Sequence, residues 1–154
     1  METSELSRFT LFFTTLSIVI FSSFSIADQN ANTEKNALII QADFAGVVMT
    51  GVAYSVSKEL DIFNIRPLIN LYDISEASAS LEYNAQTWPS GSVFVSVVDP
   101  GVGTKRKSVV LKTKNGLYFV SPNNGSLSGP ANSYGIEAVR EIDESVNRRK
   151  DTDW

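Results

Sequence analysis

The run Ser92-Val-Phe-Val-Ser-Val-Val98 constrains the fold more than any other segment. It has the length of a strand, is rich in β-branched residues, and is nearly continuous rather than alternating between apolar and polar. A strand of that kind is expected in a sheet covered on both faces, which means helices packed on largely parallel strands. The flanking segments agree. Ala37–Gln41 is a short apolar run of strand length, and Ala45, Val48, Met49, Val52, Val56 and Leu60 then recur at helical spacing. Asp61–Ile65 reads as a second strand. Asp73-Ile-Ser-Glu76 has the spacing of a capping box, in which Asp73 accepts from backbone N–H groups while Glu76 reaches back. The helix it opens would bury Ile74, Ala77, Ser78 and Leu81. Ser108–Thr113 and Leu117–Ser121 are strands joined across Lys114-Asn115-Gly116, where Asn-Gly suits a two-residue hairpin turn. The order is that of an α/β fold with a mostly parallel sheet plus a hairpin. Ligands of such sheets bind beyond the carboxyl ends of the strands, which directs attention to Asp43, Asp99–Arg106 and Pro122–Gly125.

Composition narrows the chemistry. The 154 residues fit one ordinary domain, and 43% hydrophobic with 19% charged content is not that of a disordered chain. Thirteen Lys and Arg against seventeen Asp and Glu give a net charge of −4, the wrong sign for a nucleic-acid partner. Histidine and cysteine are both absent. A Ser-His-Asp triad, a His/Cys zinc site, a CxxC redox pair and a disulfide framework are thereby excluded. Chemistry falls to carboxylates, Lys, Arg, Tyr, hydroxyls and the backbone.

The ends read differently from the middle. Leu11–Phe21 is an apolar stretch, and Ser25-Ile26-Ala27 sets small residues before Asp28, the layout of a secretory signal peptide over residues 1–27. The apolar stretch is shorter than the roughly 20 residues of a membrane span. Export to the periplasm or medium with no lasting membrane anchor is therefore expected, and an uncleaved anchor is the alternative. Residues 28–35 form a polar linker, and residues 36–154 form the domain. Glu141–Trp154 is polar and charged and ends without a closing element.

The strongest local constellation is Val98-Asp-Pro-Gly-Val-Gly-Thr-Lys-Arg106. It leaves a buried strand, turns on Pro-Gly, and sets a carboxylate seven residues from a guanidinium, with glycines that let the backbone approach a ligand. Spacing alone fits two readings: a carboxylate that orients a water, or a tight loop with a surface ion pair. Gly101-x-Gly103 is not a dinucleotide fingerprint, because Arg106 stands where the third glycine belongs and a strand follows. Ser55-Val-Ser-Lys58 matches a nucleophile tetrapeptide but lies inside a predicted helix without companion motifs. Asp43 is placed either to hold ribose hydroxyls or to cap a helix. Tyr72 can stack on a flat ligand or pack on the core, and Ser121–Gly125 is rich in turn formers.

Taken together, Asp43-Phe44, Met49-Thr-Gly-Val52, Glu76-Ala-Ser78, Gly91–Thr104, Arg106 and Tyr118–Gly125 resemble the S-adenosylmethionine hydroxide adenosyltransferases, relatives of the fluorinase and chlorinase enzymes. The resemblance runs from about Ala37 to Trp154. It implies a Rossmann-like three-layer sandwich as N-terminal domain, a C-terminal β-barrel expected to be absent from these residues, and a homotrimer with active sites between subunits. It also implies attack of water or hydroxide on C5′ of S-adenosylmethionine, the substrate, giving adenosine and methionine, with neither a metal nor a cofactor expected. Two members of the family's catalytic Asp, Arg and His fall on Asp99 and Arg106. Asp43, Tyr72, Val102 and Asn124 are implied as substrate-binding residues. Asp99 favours water over halide as the nucleophile, leaving a halogenase as a weaker alternative. The departures are a shorter segment after Asp43-Phe44, Arg66-Pro-Leu-Ile-Asn-Leu71 in place of a Thr-His-x-Ile-Pro-Pro stretch, and no catalytic His. They suggest the N-terminal part of an enzyme, or alternatively a catalytically inactive nucleoside-binding fragment or pseudoenzyme.

Overall fold

The computed structural model describes residues 36–65 and 67–147. The predicted signal peptide, the linker, Arg66 and residues 148–154 lie outside the described residues. The strands are β1 (Ala37–Ala42), β2 (Asp61–Asn64), β3 (Val93–Val97), β4 (Ser108–Thr113), β5 (Tyr118–Pro122) and β6 (Ile136–Glu141). The helices are α1 (Val47–Val56), α2 (Ile74–Ala85), α3 (Ser128–Tyr134) and α4 (Glu144–Asn147). One six-stranded sheet runs in the order β2-β1-β3-β5-β4-β6. β1 pairs in parallel with both β2 and β3, β3 pairs in parallel with β5, and β4 runs antiparallel between β5 and β6. The α/β class with a mostly parallel sheet and a hairpin is the observed fold, and no barrel is found among the described residues.

The core lies on one face of the sheet. Ile39, Phe94, Leu111 and Phe119 point from the strands to Leu81 and Ala85 of α2, with Leu117 completing the cluster. Phe94 and Phe119 stack with ring centres 5.0 Å apart, and Tyr134 of α3 stacks on Phe119 at 6.4 Å. α2 starts as its sequence requires, with Asp73 accepting from the N–H of Glu76 at 2.8 Å. The return contact differs from the expected box. The Glu76 carboxylate accepts from the N–H of Asn70 at 2.8 Å, tying down the preceding loop, while the Asp73 N–H bonds to the Asn70 carbonyl. Ala77, Ser78 and Leu81 are buried as expected, and Ile74 is half-buried.

The opposite face departs from expectation. Side chains alternate along a strand, so Leu38 and Ile40 face α1 while Ile39 and Gln41 face α2. The predicted helix over Ala45–Leu60 is shorter, and none of its residues is buried. Val48 and Val56 are 65% and 81% exposed. An open apolar slot of 340 Å³ separates α1 from Leu38, Ile40 and Val95. For the same reason β3 is not covered on both faces: Phe94 and Ser96 are buried, whereas Val93, Val95 and Val97 are half-buried. The β4–β5 connection is a three-residue loop rather than a two-residue turn. The Gly116 N–H closes onto the Thr113 carbonyl, and Gly116 takes the left-handed conformation at φ +81°, the usual place for glycine in such a loop. α3 and β6 have no counterpart in the sequence reading, and part of the expected polar tail forms the end of β6 and α4.

Candidate functional site

The chain turns from β1 to β2 on one side of the sheet, whereas β3 lies on the other side of β1. That reversal makes the carboxyl ends of β1 and β3 a topological switch point, the usual ligand position in such sheets. Ala42 and Val97 are register partners there, so Asp43 and Asp99 leave neighbouring strand ends.

Asp99 is gripped on one oxygen. Its Oδ1 accepts from the Gly101 N–H at 2.9 Å and from Nη1 of Arg106 in an ion pair, with Nδ2 of Asn124 at 3.5 Å. Among the described residues no hydrogen bond is directed at Oδ2. The Asp99 side chain is 9% exposed and that of Arg106 32%, so the pair is partly buried rather than on the open surface. The loop between them is built for that closure. A Cβ at Gly101 would sit 2.6 Å from Nη2 of Arg106, so a side chain there would displace the guanidinium from Asp99. Thr104 folds back to donate to the Gly101 carbonyl at 2.7 Å, and its Oγ1 accepts from the Arg106 N–H at 3.3 Å. Asn124 bridges the strand ends: Nδ2 donates to the Val98 carbonyl at 2.8 Å and Oδ1 accepts from the Ser126 N–H at 3.1 Å. An open cavity of 470 Å³ lies against Asp99, Val102 and Arg106 and continues over Val97 and Val120. Val102 is 79% exposed at its rim. Val95 lines both this cavity and the apolar slot under α1.

Asp43 and Tyr72 form a second pair. Oδ2 of Asp43 accepts from the Tyr72 N–H at 2.8 Å. Tyr72 has φ +63°, a left-handed conformation that L-residues with a bulky side chain rarely adopt, and its ring is exposed. The Asp43 contact, together with the Asn70–Glu76 bond beside it, holds the strained residue in place. Asp43 does not cap α1, whose first residue has no side-chain cap. Sequence reasoning missed Gln41 and Ser96, which join β1 to β3 beneath these pairs. The one signal for them was a lone amide in the apolar run Ala37–Ala42.

A guanidinium that saturates one carboxylate oxygen and leaves the other open can orient a water; an open carboxylate beside an aromatic ring suits a sugar diol next to a flat base. Among the described residues no cluster of three metal-binding side chains occurs.

The comparisons with known proteins point the same way. The family model described as the SAM hydroxide adenosyltransferase N-terminal domain matches residues 38–153. The chain is 38% identical over 88 residues to an (R)-S-adenosyl-L-methionine hydrolase of Methanocaldococcus jannaschii, covering 57% of this chain and 33% of that protein. It is 33% identical over 104 residues to a protein of the same name from Salinispora tropica, covering 68% of this chain and 37% of the relative. The chain thus spans about a third of the length of these relatives. A crystal structure of an uncharacterized conserved protein from Thermotoga maritima superimposes with a TM-score of 0.66 at 34% identity, covering 70% of this chain and 43% of that one. A conserved hypothetical protein from Thermus thermophilus shares the fold, with a TM-score of 0.62 at 20% identity over 70% of this chain and 47% of its own.

Proposed function

The chain belongs to the SAM hydroxide adenosyltransferase family through its N-terminal domain, and from that premise we propose that the site at these strand ends binds S-adenosylmethionine and directs water at C5′ of the ribose. The observation that carries the proposal is the arrangement of Asp99: Oδ1 is held by the Gly101 N–H and Arg106, and Oδ2 is left open at a strand end beside that of Asp43.

In this reading Asp43 accepts the ribose hydroxyls, Tyr72 lies against the nucleoside, and Val102 and Asn124 border the substrate. A water hydrogen-bonded to Oδ2 of Asp99 forms the new O–C5′ bond as the C5′–S bond breaks. The bonding pair returns to sulfur, converting the sulfonium into the thioether of methionine, and the proton of the water leaves through the carboxylate to solvent. A sulfonium is already a good leaving group, so the work of the site is positioning and charge placement. Arg106 acts on Asp99, fixing which oxygen faces the substrate. Incubating the full chain with S-adenosylmethionine and separating adenosine and methionine by chromatography tests the proposal. Product above the uncatalysed background is expected, and its absence would remove the activity from this chain.

A second reading, binding of the nucleoside without turnover, is favoured by the absence of histidine anywhere in the 154 residues. Adenosine binding by calorimetry with no product formation would select it.

A further inference from the structure

Gln41 is 1% exposed on β1, and its Nε2 donates to Oγ of Ser96 on β3 and to the Ala77 carbonyl in the first turns of α2, both at 3.0 Å. Gln41 and Ser96 are direct partners in the parallel register of β1 and β3. The amide therefore joins three elements at one point, with Gln41 two residues before Asp43 and Ser96 three before Asp99. Asp43 ties the same strand end to the residue preceding the α2 cap through the Tyr72 N–H. β1 is thus fastened to α2 at 41 and again at 43, and to β3 at 41.

As a core residue Gln41 is a poor choice. Its Oε1 is buried and has no hydrogen-bond partner among the described residues, and a desolvated acceptor of that kind is costly. Leucine or methionine would fill the volume without an unpaired oxygen. A local rule broken directly beneath a candidate site points to a role in the site. We infer that Gln41 is a positioning residue: it clamps the ends of β1 and β3 so that Asp43 and Asp99, which leave those ends, stand at a fixed separation. The inference presupposes the nucleoside site proposed above.

Calorimetric titration of the full chain with adenosine tests it, using wild type, Gln41→Met, Ser96→Ala, Asp43→Asn and the Gln41→Met/Asp43→Asn double variant. Gln41→Met removes one unpaired buried acceptor and gives up the donations to the Ser96 hydroxyl and the Ala77 carbonyl, opposing effects of similar size, so its Tm should stay within about 5 °C of wild type. Its adenosine affinity should nevertheless fall about tenfold, since small misplacements of binding groups are expensive. Because the clamp acts through Asp43, the double variant should bind no more weakly than Asp43→Asn alone, whereas an independent structural effect would add. Ser96→Ala, which leaves the Gln41 bond to α2 intact, should weaken binding severalfold and serves if Gln41→Met does not fold. Wild-type affinity in Gln41→Met or Ser96→Ala, or additive losses in the double variant, overturns the clamp while leaving the site standing. Failure of the wild type to bind adenosine overturns the site reading and the clamp with it.

Discussion

Replacing Asn124 by aspartate changes one group in the cluster and almost no volume. The Asn124 amide donates to the Val98 carbonyl at 2.8 Å and faces Oδ1 of Asp99 at 3.5 Å. In Asn124→Asp the carboxylate still accepts from the Ser126 N–H, but both donor contacts become oxygen against oxygen. Val98 is fully buried, so its carbonyl loses a partner it cannot replace freely, a cost of about 1–3 kcal/mol. A new negative charge 3.5 Å from Asp99 would add roughly 5 kcal/mol at an effective dielectric of ~20. The Arg106 guanidinium offsets much of that, and partial exposure screens more, leaving about 1 kcal/mol. The expected loss of stability is about 2–4 kcal/mol at pH 7, less than the ~5–15 kcal/mol that holds a typical domain together. Urea unfolding followed by circular dichroism measures it. Burial and the like charge both raise the pKa of the new carboxyl in the folded state above its unfolded value of about 3.9. Its favourable contribution is then present below that value and lost as pH rises. The deficit relative to wild type should therefore shrink between pH 7 and pH 4, where the protonated carboxyl regains a donor. Equal stability of the two proteins at pH 7, or a deficit that grows on acidification, would refute the reasoning.

Two further outcomes are expected. Phe94→Ala removes a fully buried ring stacked on Phe119 and should cost about 3–5 kcal/mol in urea unfolding; a loss under about 1 kcal/mol would mean that the core lies elsewhere. Burial, and secondarily the nearby Glu82 carboxylate, raise the Tyr134 pKa from 10.0, and its hydroxyl donates to the Glu82 carbonyl. The folded state therefore holds this proton more tightly than the unfolded chain, so the contribution is complete below about pH 10 and is lost as pH rises past it. The urea midpoint should fall less between about pH 9.5 and 11.5 in Tyr134→Phe than in wild type.

The sequence made the sheet legible where apolar, β-branched residues run together. Ser92–Val98 and Ala37–Gln41 are strands because their apolar content leaves no other place for them, and Asp73 announces α2 through its own hydrogen bond. The Asp99–Arg106 contact was legible as well, because a short glycine loop brings its two ends together. Helical spacing failed as a guide to burial in α1, since periodic valines show which face is apolar but not whether anything covers it. α3 is only seven residues and contains glycine and proline, which masks its helical signal. β6 mixes Glu137, Arg140 and Glu141 into an exposed edge and reads as tail. The partners of Gln41 and of the left-handed Tyr72 are 55 and 29 residues distant, so a lone amide in an apolar run marks Gln41 without showing what it joins, and nothing local marks the Tyr72 backbone.

The most direct test of the proposed chemistry follows the oxygen atom. S-Adenosylmethionine incubated with the full chain in water enriched in the heavy oxygen isotope should give adenosine carrying that isotope at its 5′ hydroxyl. Asp99→Asn should slow its formation by about 10²–10⁴. Adenosine at the uncatalysed rate in wild type, or an unchanged rate in Asp99→Asn, would contradict the assignment of Asp99 as the group that directs water to C5′.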